Sequence, residues 1–304
     1  MLDVTVCIMS YNRPAYLRES LHSVLSQTKQ PKKIVIYDNG SNKDVYASIE
    51  EFIGSEVQWV EAENNHPFIW NFSRAMLSND SKYVVLLHDD DRLCSNFLET
   101  QIGLLEANDS LLAVSCNGYF IDEAGNKTGE TLVPTVGGEP IELYTCSGHV
   151  ALKYAGNSCI PLSPAIYRSH AVRSVKFREE FGKVFDAVYF CDLAEIGSIA
   201  YQVTPLYECR VHAGQDSSHF PYDLMNRLEE FYWSRTCMND AERIKLRDLL
   251  VRQHTARNLK RLFHSVKKGN LSLMATLLRD DKFRFADAVR IVGAWCIKYV
   301  FQRR

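Results

Sequence analysis

Three carboxylates stand side by side at Asp89-Asp90-Asp91, directly after the apolar run Val84-Val85-Leu86-Leu87 and His88. The run has the length and composition of a strand, so the acids fall where a strand ends. Three acids in a row are costly unless something positive sits among them. Alternation along an extended chain sends Asp89 and Asp91 to one side and Asp90 to the other. In an open α/β sheet, ligands bind outside the carboxyl ends of the strands. Hard oxygen ligands in such a place suit magnesium or manganese, above all when substrate phosphates complete the shell. An acidic triplet alone is more often a solvated turn, so the weight rests on what the rest of the chain brings to the same edge.

The elements that must position these acids follow a clear order. Val4–Met9 is a β-rich run, followed by a helical pattern through Leu17, Leu21, Val24 and Leu25. Lys33–Tyr37 reads as a strand, Asp44–Phe52 as a helix and Val57–Val60 as a strand. Phe68–Leu77 reads as a helix, Lys82–Leu87 as a strand and Asn96–Ala107 as a helix. Alternation of this kind predicts a parallel, doubly wound sheet with right-handed crossovers. No G-x-G-x-x-G accompanies it, which argues against an ordinary dinucleotide site. After about residue 110 the pattern changes. Leu111–Cys116 reads as a strand and Tyr119–Thr128 as a hairpin around Glu123-Ala124-Gly125-Asn126. Residues 129–160, rich in Gly, Pro and Thr, read as a mobile loop over a site. Ala165–Tyr167 and Ile199–Val203 read as strands flanking a helix over Asp186–Ile196, and the chain is helical from about Pro221 onward.

Composition narrows the class. Hydrophobic residues at 46% and charged residues at 24% of 304 fit a globular protein with a substantial core. The nine cysteines are odd in number and scattered, with no C-x-x-C pair, which predicts reduced cytosolic thiols rather than a disulfide framework or a zinc site. Met1-Leu2-Asp3 leads straight into a strand, so no secretory signal is expected. Charge is divided unevenly: residues 241–304 hold 16 Lys/Arg and 5 Asp/Glu, a balance of +11, against 19 and 32 over residues 1–240, a balance of −13. Lys267-Lys268, Arg279, Arg284, Arg290, Lys298 and Arg303-Arg304 are interleaved with Leu271, Met274, Leu277, Leu278, Val289, Val292, Trp295 and Tyr299 at helical spacing. A basic amphipathic segment of this kind suits an anionic membrane surface or the acidic body of its own chain. The run Ile291–Ile297 is too short to span a bilayer. With no recognised nucleic-acid module beside the charge, nucleic acid is not the expected partner.

Four segments now stand together: Val4 to Arg13; Lys33 through Asp38-Asn39-Gly40-Ser41; His88-Asp89-Asp90-Asp91; and Phe185-Asp186-Ala187-Val188 leading to Gly197. Their order, spacing and strand-end placement resemble the glycosyltransferase family 2 pattern on the GT-A fold, over roughly residues 2–218. The resemblance implies a Rossmann-like, doubly wound mixed sheet with a C-terminal helical region. Residues 1–115 would form the nucleotide-sugar-binding half, 116–220 the acceptor-binding half of the same domain, and 221–304 the basic helical region.

The resemblance also implies roles. Ser10, Tyr11 and Arg13 would flank the base and ribose of the donor, with Tyr11 able to stack and Arg13 able to meet phosphate. Asp38 would read the base or ribose, or close an Asx-turn with Asn39-Gly40. Asn64 and Asn65 would form a polar turn near the donor. The acidic triplet matches the family's metal-binding D-x-D element: Asp90 would be the main ligand of Mn2+ or Mg2+, joined by Asp91 and His212, with Asp89 on the donor. Two departures stand out. His88 occupies the place of the usual first Asp, as a ligand or hydrogen-bond donor, and Phe185 replaces the Glu of the Glu-Asp element whose Asp186 would be the general base. Tyr207, Arg210 and His212 resemble the family's Tyr-x-x-Arg-x-His run, with Arg210 directed to the diphosphate or the metal.

The expected activity is inverting, metal-dependent, hexosyl-type transfer from a nucleotide-diphosphate sugar, a UDP-sugar favoured. The acceptor would be a saccharide hydroxyl on a lipid-linked bacterial surface glycan such as an O-antigen or capsule repeat. The enzyme would be cytoplasmic and peripheral on the inner face of the membrane. A nucleotidyltransferase would be the enzymatic alternative, although Ser10-Tyr11-Asn12-Arg13 lacks its usual glycine-rich basic loop. A scaffold that has lost catalysis would be the other.

Overall fold

The structure is a computed structural model, which describes residues 1–134, 139–156, 158–214, 222–235, 237–267 and 287–288. It divides into two units, one of residues 1–150 with 159–235 and one of residues 151–158 with 236–304.

In the first unit, β1 (Leu2–Ser10), β2 (Pro31–Asp38), β3 (Val57–Val60) and β4 (Tyr83–His88) alternate with α1 (Pro14–Leu25), α2 (Lys43–Ala47) and α3 (Phe68–Leu77). The four strands are parallel, in the order β3-β2-β1-β4. β1 is buried from Val4 to Ser10 without interruption. A strand covered on both faces reads as a continuous apolar run rather than an alternating one. α1 begins with Pro14, where a missing N–H costs nothing, and lays Leu17, Leu21 and Val24 into the core. The chain runs outward from β1 to β3 and then returns to the other side of β1 as β4. The carboxyl ends of β1 and β4 therefore face each other at a topological switch point, the usual place for a ligand in an open α/β sheet.

The sheet continues from β4 through β9 (Ala165–Arg168), β6 (Leu111–Ile121) and β10 (Ser198–Arg210) to β5 (Arg92–Leu93), with β7 (Lys127–Thr131) on β6 and β8 (Ile141–Tyr144) on β10. β9 runs antiparallel to both β4 and β6, whereas β6 and β10 are parallel. The ten-stranded sheet is therefore mixed. The helices of this half are α4 (Phe97–Ala107), α6 (Ser169–Ser174) and α7 (Phe185–Ala194), followed by α8 (Tyr222–Trp233), while α5 (Ser147–Ala155) begins here and continues into the second unit.

Several expectations are corrected. The helix expected over Asp44–Phe52 ends at Ala47, and a short 3-10 turn occupies Glu50–Phe52. The Ser48 hydroxyl bonds back to the Val45 carbonyl at 2.7 Å, a local competitor for the helix ladder. Residues 129–160 are not one loop: they hold the end of β7, β8 and α5. The four residues of β8 gain their order from pairing with β10, a partner far along the chain. β6 runs on to Ile121 and β10 to Arg210, the latter crossing Thr204-Pro205 with register shifts on either side of Pro205, which is how a proline is tolerated inside a ladder.

The second unit is dominated by α9 (Asp240–Lys267). Asn239 and Glu242 close its start reciprocally: the Asn239 amide donates to Glu242 Oε2 at 2.9 Å, and the Glu242 amide donates to Asn239 Oδ1 at 3.0 Å. Leu246, Leu250, His254, Thr255, Asn258 and Leu259 form its buried stripe. Among the described residues no helix is long and apolar enough to cross a membrane. The basic positions Lys268, Arg279, Arg284, Arg290, Lys298, Arg303 and Arg304 lie outside the described residues.

Candidate active site

β4 ends at His88, and Asp89-Asp90 form a turn rather than more strand. The expected alternation of the three acids is therefore lost: turn geometry brings Asp90 and Asp91 together instead of sending them to opposite faces. One His88 nitrogen and one carboxylate oxygen each of Asp90 and Asp91 lie within 4.8 Å of one another. His88 Nε2 is buried and has no hydrogen-bond partner. Leaving such an atom unmet costs about 1–3 kcal/mol unless a ligand satisfies it. Two carboxylates and an imidazole with an open nitrogen are a donor set that fits a divalent cation.

Positive groups surround the turn, as the charge density requires. Arg13 Nη1 donates to Asp89 Oδ1 at 2.9 Å and lies 3.4 Å from Asp90 Oδ2, while Arg13 Nη2 donates to the Gly214 carbonyl. The Tyr11 amide donates to Asp89 Oδ2 at 2.9 Å. Burial nevertheless pushes the Asp89 carboxyl up to about 7, with the Asp90 charge adding to it and Arg13 opposing. Asp91 is likewise raised by burial and then by Asp90, against the Arg210 backbone N–H that donates to it at 3.0 Å. For Asp90, burial is outweighed by His88, the His212 hydrogen bond and Arg13, and its carboxyl stays below the usual range. Burial lowers the His88 imidazole against the pull of Asp90, favouring the neutral ring that ligates metals.

His212 and Arg210 both converge on Asp90, in ways the sequence did not specify. The Gly214 amide donates to His212 Nδ1 at 3.1 Å, so the neutral ring carries its proton on Nε2 and donates it to Asp90 Oδ2 at 2.9 Å. His88 is the imidazole grouped with Asp90 and Asp91, and His212 stands beside them, its Nε2 2.9 Å from Asp90 Oδ2. Arg210 was expected at the diphosphate. Its side chain is fully buried, with Nε on the Asp90 carbonyl, Nη1 on the carbonyls of Asp122 and Glu123, and Nη2 on Glu19 Oε2 at 2.6 Å. Tyr16 lies beneath the guanidinium, 4.3 Å from its carbon. Arg210 thus fastens the acidic turn to α1 and to the hairpin tip. Arg92 adds a second fastening, to Glu208, Glu19 and the Gly125 carbonyl.

The carboxyl end of β2 lies beside that of β1, with Ser10 and Asp38 in register. Asp38 Oδ2 accepts from the Gly40 and Ser41 amides at 3.0 and 2.8 Å, closing an Asx-turn. Asp38 Oδ1 and Ser10 Oγ are buried without partners. Both are acceptors that a base N–H or ribose hydroxyl would satisfy. Gly40 has φ +78°, and a Cβ there would sit 2.5 Å from the Asn64 carbonyl carbon. That close approach packs the turn against Asn64-Asn65, where Asn39 Nδ2 donates to Asn65 Oδ1 at 2.8 Å. Asn12, also at positive φ, accepts from the Asn42 amide and so ties the first loop to the second. Tyr11 is 39% exposed at this edge, available for stacking.

Asp186 lies half-buried in the first turn of α7. Its charge adds to burial in raising the phenols of Tyr167 and Tyr232. The preceding Phe185 meets Phe68 at 5.9 Å between ring centroids, and Phe68 meets His88 at 5.5 Å. Sequence reasoning missed Phe68, Glu19, Arg92 and Arg74. Arg74 Nη2 donates to the Asp38 and Val60 carbonyls at 2.9 and 3.1 Å, holding the ends of β2 and β3. Only Arg92, adjacent to the acidic triplet, carried a local signal.

Comparison with known proteins gives the class. The fold is GT-A: it resembles S. aureus TarS residues 1–349 in complex with UDP, with a TM-score of 0.61 and 18% identity over 83% of this chain and 71% of that one. The complex of the same protein with UDP-GlcNAc gives 0.62 and 15% over 91% and 90%. The model of Glycosyl transferase family 2 matches residues 5–172, and the chain belongs to that family. Among its relatives are an uncharacterized glycosyltransferase of Haemophilus influenzae, 21% identical over 72% of this chain and 69% of that protein, and one of Rickettsia felis, 26% identical over 81% and 40%. The chain thus spans less than half of the Rickettsia relative.

Proposed function

We propose that this glycosyltransferase moves a hexosyl unit from a nucleotide-diphosphate sugar, a UDP-sugar favoured, to a saccharide hydroxyl with inversion at the anomeric carbon. The observation that carries this reading is the His88, Asp90 and Asp91 cluster at the switch point, with its open His88 Nε2. Fold neighbours crystallised with UDP and UDP-GlcNAc support the donor class.

In this reading His88, Asp90 and Asp91 hold a manganese or magnesium ion, which when bound neutralises the leaving diphosphate as a Lewis acid. His212 and Arg210 keep Asp90 in position. Asp38 and Ser10 receive the base or ribose, beside Tyr11 and Asn65, while Arg13 and Asp89 border the phosphates. Asp186 takes the proton from the acceptor hydroxyl as it attacks in line. Residues 1–115 form the donor half, 116–220 the acceptor half, and 221–304 the basic helical region. The test is the product: incubation with UDP-sugars and Mn2+ releases free UDP. Release of pyrophosphate would contradict sugar transfer and indicate nucleotidyl transfer.

The acceptor in this reading is a lipid-linked surface glycan, reached at the inner face of the cytoplasmic membrane. The +11 balance of residues 241–304 supports it, because each basic residue near an anionic surface contributes about 1 kcal/mol. The full chain is expected to co-sediment with anionic vesicles at low salt and to release in part as screening rises. Charge reversal at Lys267, Lys268, Arg279 and Arg284 should reduce sedimentation and leave donor hydrolysis unchanged. A full chain that ignores such vesicles at low salt would leave the basic region to packing or self-association.

A further inference from the structure

Phe68 opens α3 with 39% of its surface exposed, although it stands among aromatic rings. It meets His88 edge-on at 5.5 Å and 80°, Phe185 at 5.9 Å and 52°, and Phe72 at 6.1 Å. Phe72 and Phe185 are buried and anchor it from below. The ring is thus packed on one part and open to solvent on another. Phe68 therefore bridges a member of the carboxylate cluster and the residue that precedes Asp186.

That bridge coincides with the path of the reaction proposed above. In an inverting transfer the anomeric carbon lies between the leaving diphosphate and the base, with the reacting atoms about 3–3.5 Å apart. In that reading the transferred sugar lies on the path from the cation site towards Asp186, and Phe68 stands between His88 and Phe185, the residue before Asp186. We propose that the exposed part of the Phe68 ring is the platform on which the transferred sugar of the donor stacks. This rests on the nucleotide-sugar reading of the site. An aromatic face is electron-rich and its edge electron-poor. It attracts the polarised C–H groups of a sugar ring and repels a carboxylate such as that of a uronic acid. Phe185, buried behind it, holds the Phe68 ring in place.

The experiment is calorimetric titration of the full chain with Mn2+ and four probes: UDP, UDP-GlcNAc, UDP-glucose and UDP-galactose. Phe68→Ala is expected to weaken the tightest of the three nucleotide sugars by roughly tenfold, about the worth of one aromatic stacking contact, and to change UDP by less than about twofold. Phe68→Trp, which keeps a π face, should restore sugar binding, and an unchanged UDP affinity certifies that each variant is folded. Equal weakening of UDP and sugar would overturn the proposal by making Phe68 a prop for His88. No change in either would overturn it as well, as would a wild type that binds UDP but none of the three sugars. A wild type that fails to bind UDP at all would instead defeat the nucleotide-sugar reading, and this inference with it.

Discussion

Asp90→Asn should abolish the cation-dependent part of nucleotide binding while leaving the fold in place. Asn keeps the shape and can still accept the proton of His212 Nε2, which lies 2.9 Å from Asp90 Oδ2. It loses the charge that a divalent cation needs most, because Asp90 is the one acid of the three whose carboxyl is held below its usual range. Loss of a group that only orients a ligand costs 10–100-fold in metal affinity, so loss of the ligand itself should cost at least roughly 100-fold. The measurement is UDP affinity at several Mn2+ concentrations, with the melting temperature in chelator as the control for folding. A variant that binds UDP with the wild-type dependence on Mn2+ would remove Asp90 from the cation site.

Asp186→Asn should act on chemistry and not on donor binding. Turnover is expected to fall by about 10²–10⁴-fold, the usual contribution of a general base, with UDP affinity nearly unchanged. Asp186 lies in the first turn of α7, where a carboxylate also complements the helix dipole for about 0.3–1 kcal/mol. The two roles separate cleanly: a structural role would lower the melting temperature and leave turnover near normal, whereas the base role does the reverse. Donor turnover and thermal melting on the same preparation decide between them.

Much of the architecture was legible because the hydrophobic period is strong in the first half. Val57–Val60 and Phe68–Leu77 fold over the residues their patterns indicate. The parallel order β3-β2-β1-β4 follows from the alternation of strands and helices. What was not legible was set by partners far along the chain. β8 is ordered by β10, and no four-residue window could announce that. β10 continues through Pro205 because its neighbours carry the ladder across an irregularity.

The site shows the same division. Strand ends gave the positions of Ser10, Asp38 and His88 to Asp91, because a loop after a buried strand has few places to go. The direction of each side chain was another matter. Alternation failed at Asp89 to Asp91 because the strand stops at His88. Arg210 turns inward because Glu19, 191 residues away, and the carbonyls of the hairpin tip meet it there. Phe68 could not be singled out from the sequence, since the apolar pattern of α3 assigns it to the core and only the fold leaves it partly exposed beside His88.

The central claim is that the switch-point cluster binds a nucleoside diphosphate through a divalent cation. The most direct measurement is the melting temperature of the wild-type chain with UDP, titrated in the presence of Mn2+ and again in chelator. Binding stabilises by RT ln(1 + [L]/Kd), about 2.7 kcal/mol at a hundredfold excess, or roughly 5–10 °C for a domain of this size. The predicted result is a shift of that order with Mn2+ that collapses in chelator. An equal shift in chelator, or none in either condition, would contradict the account.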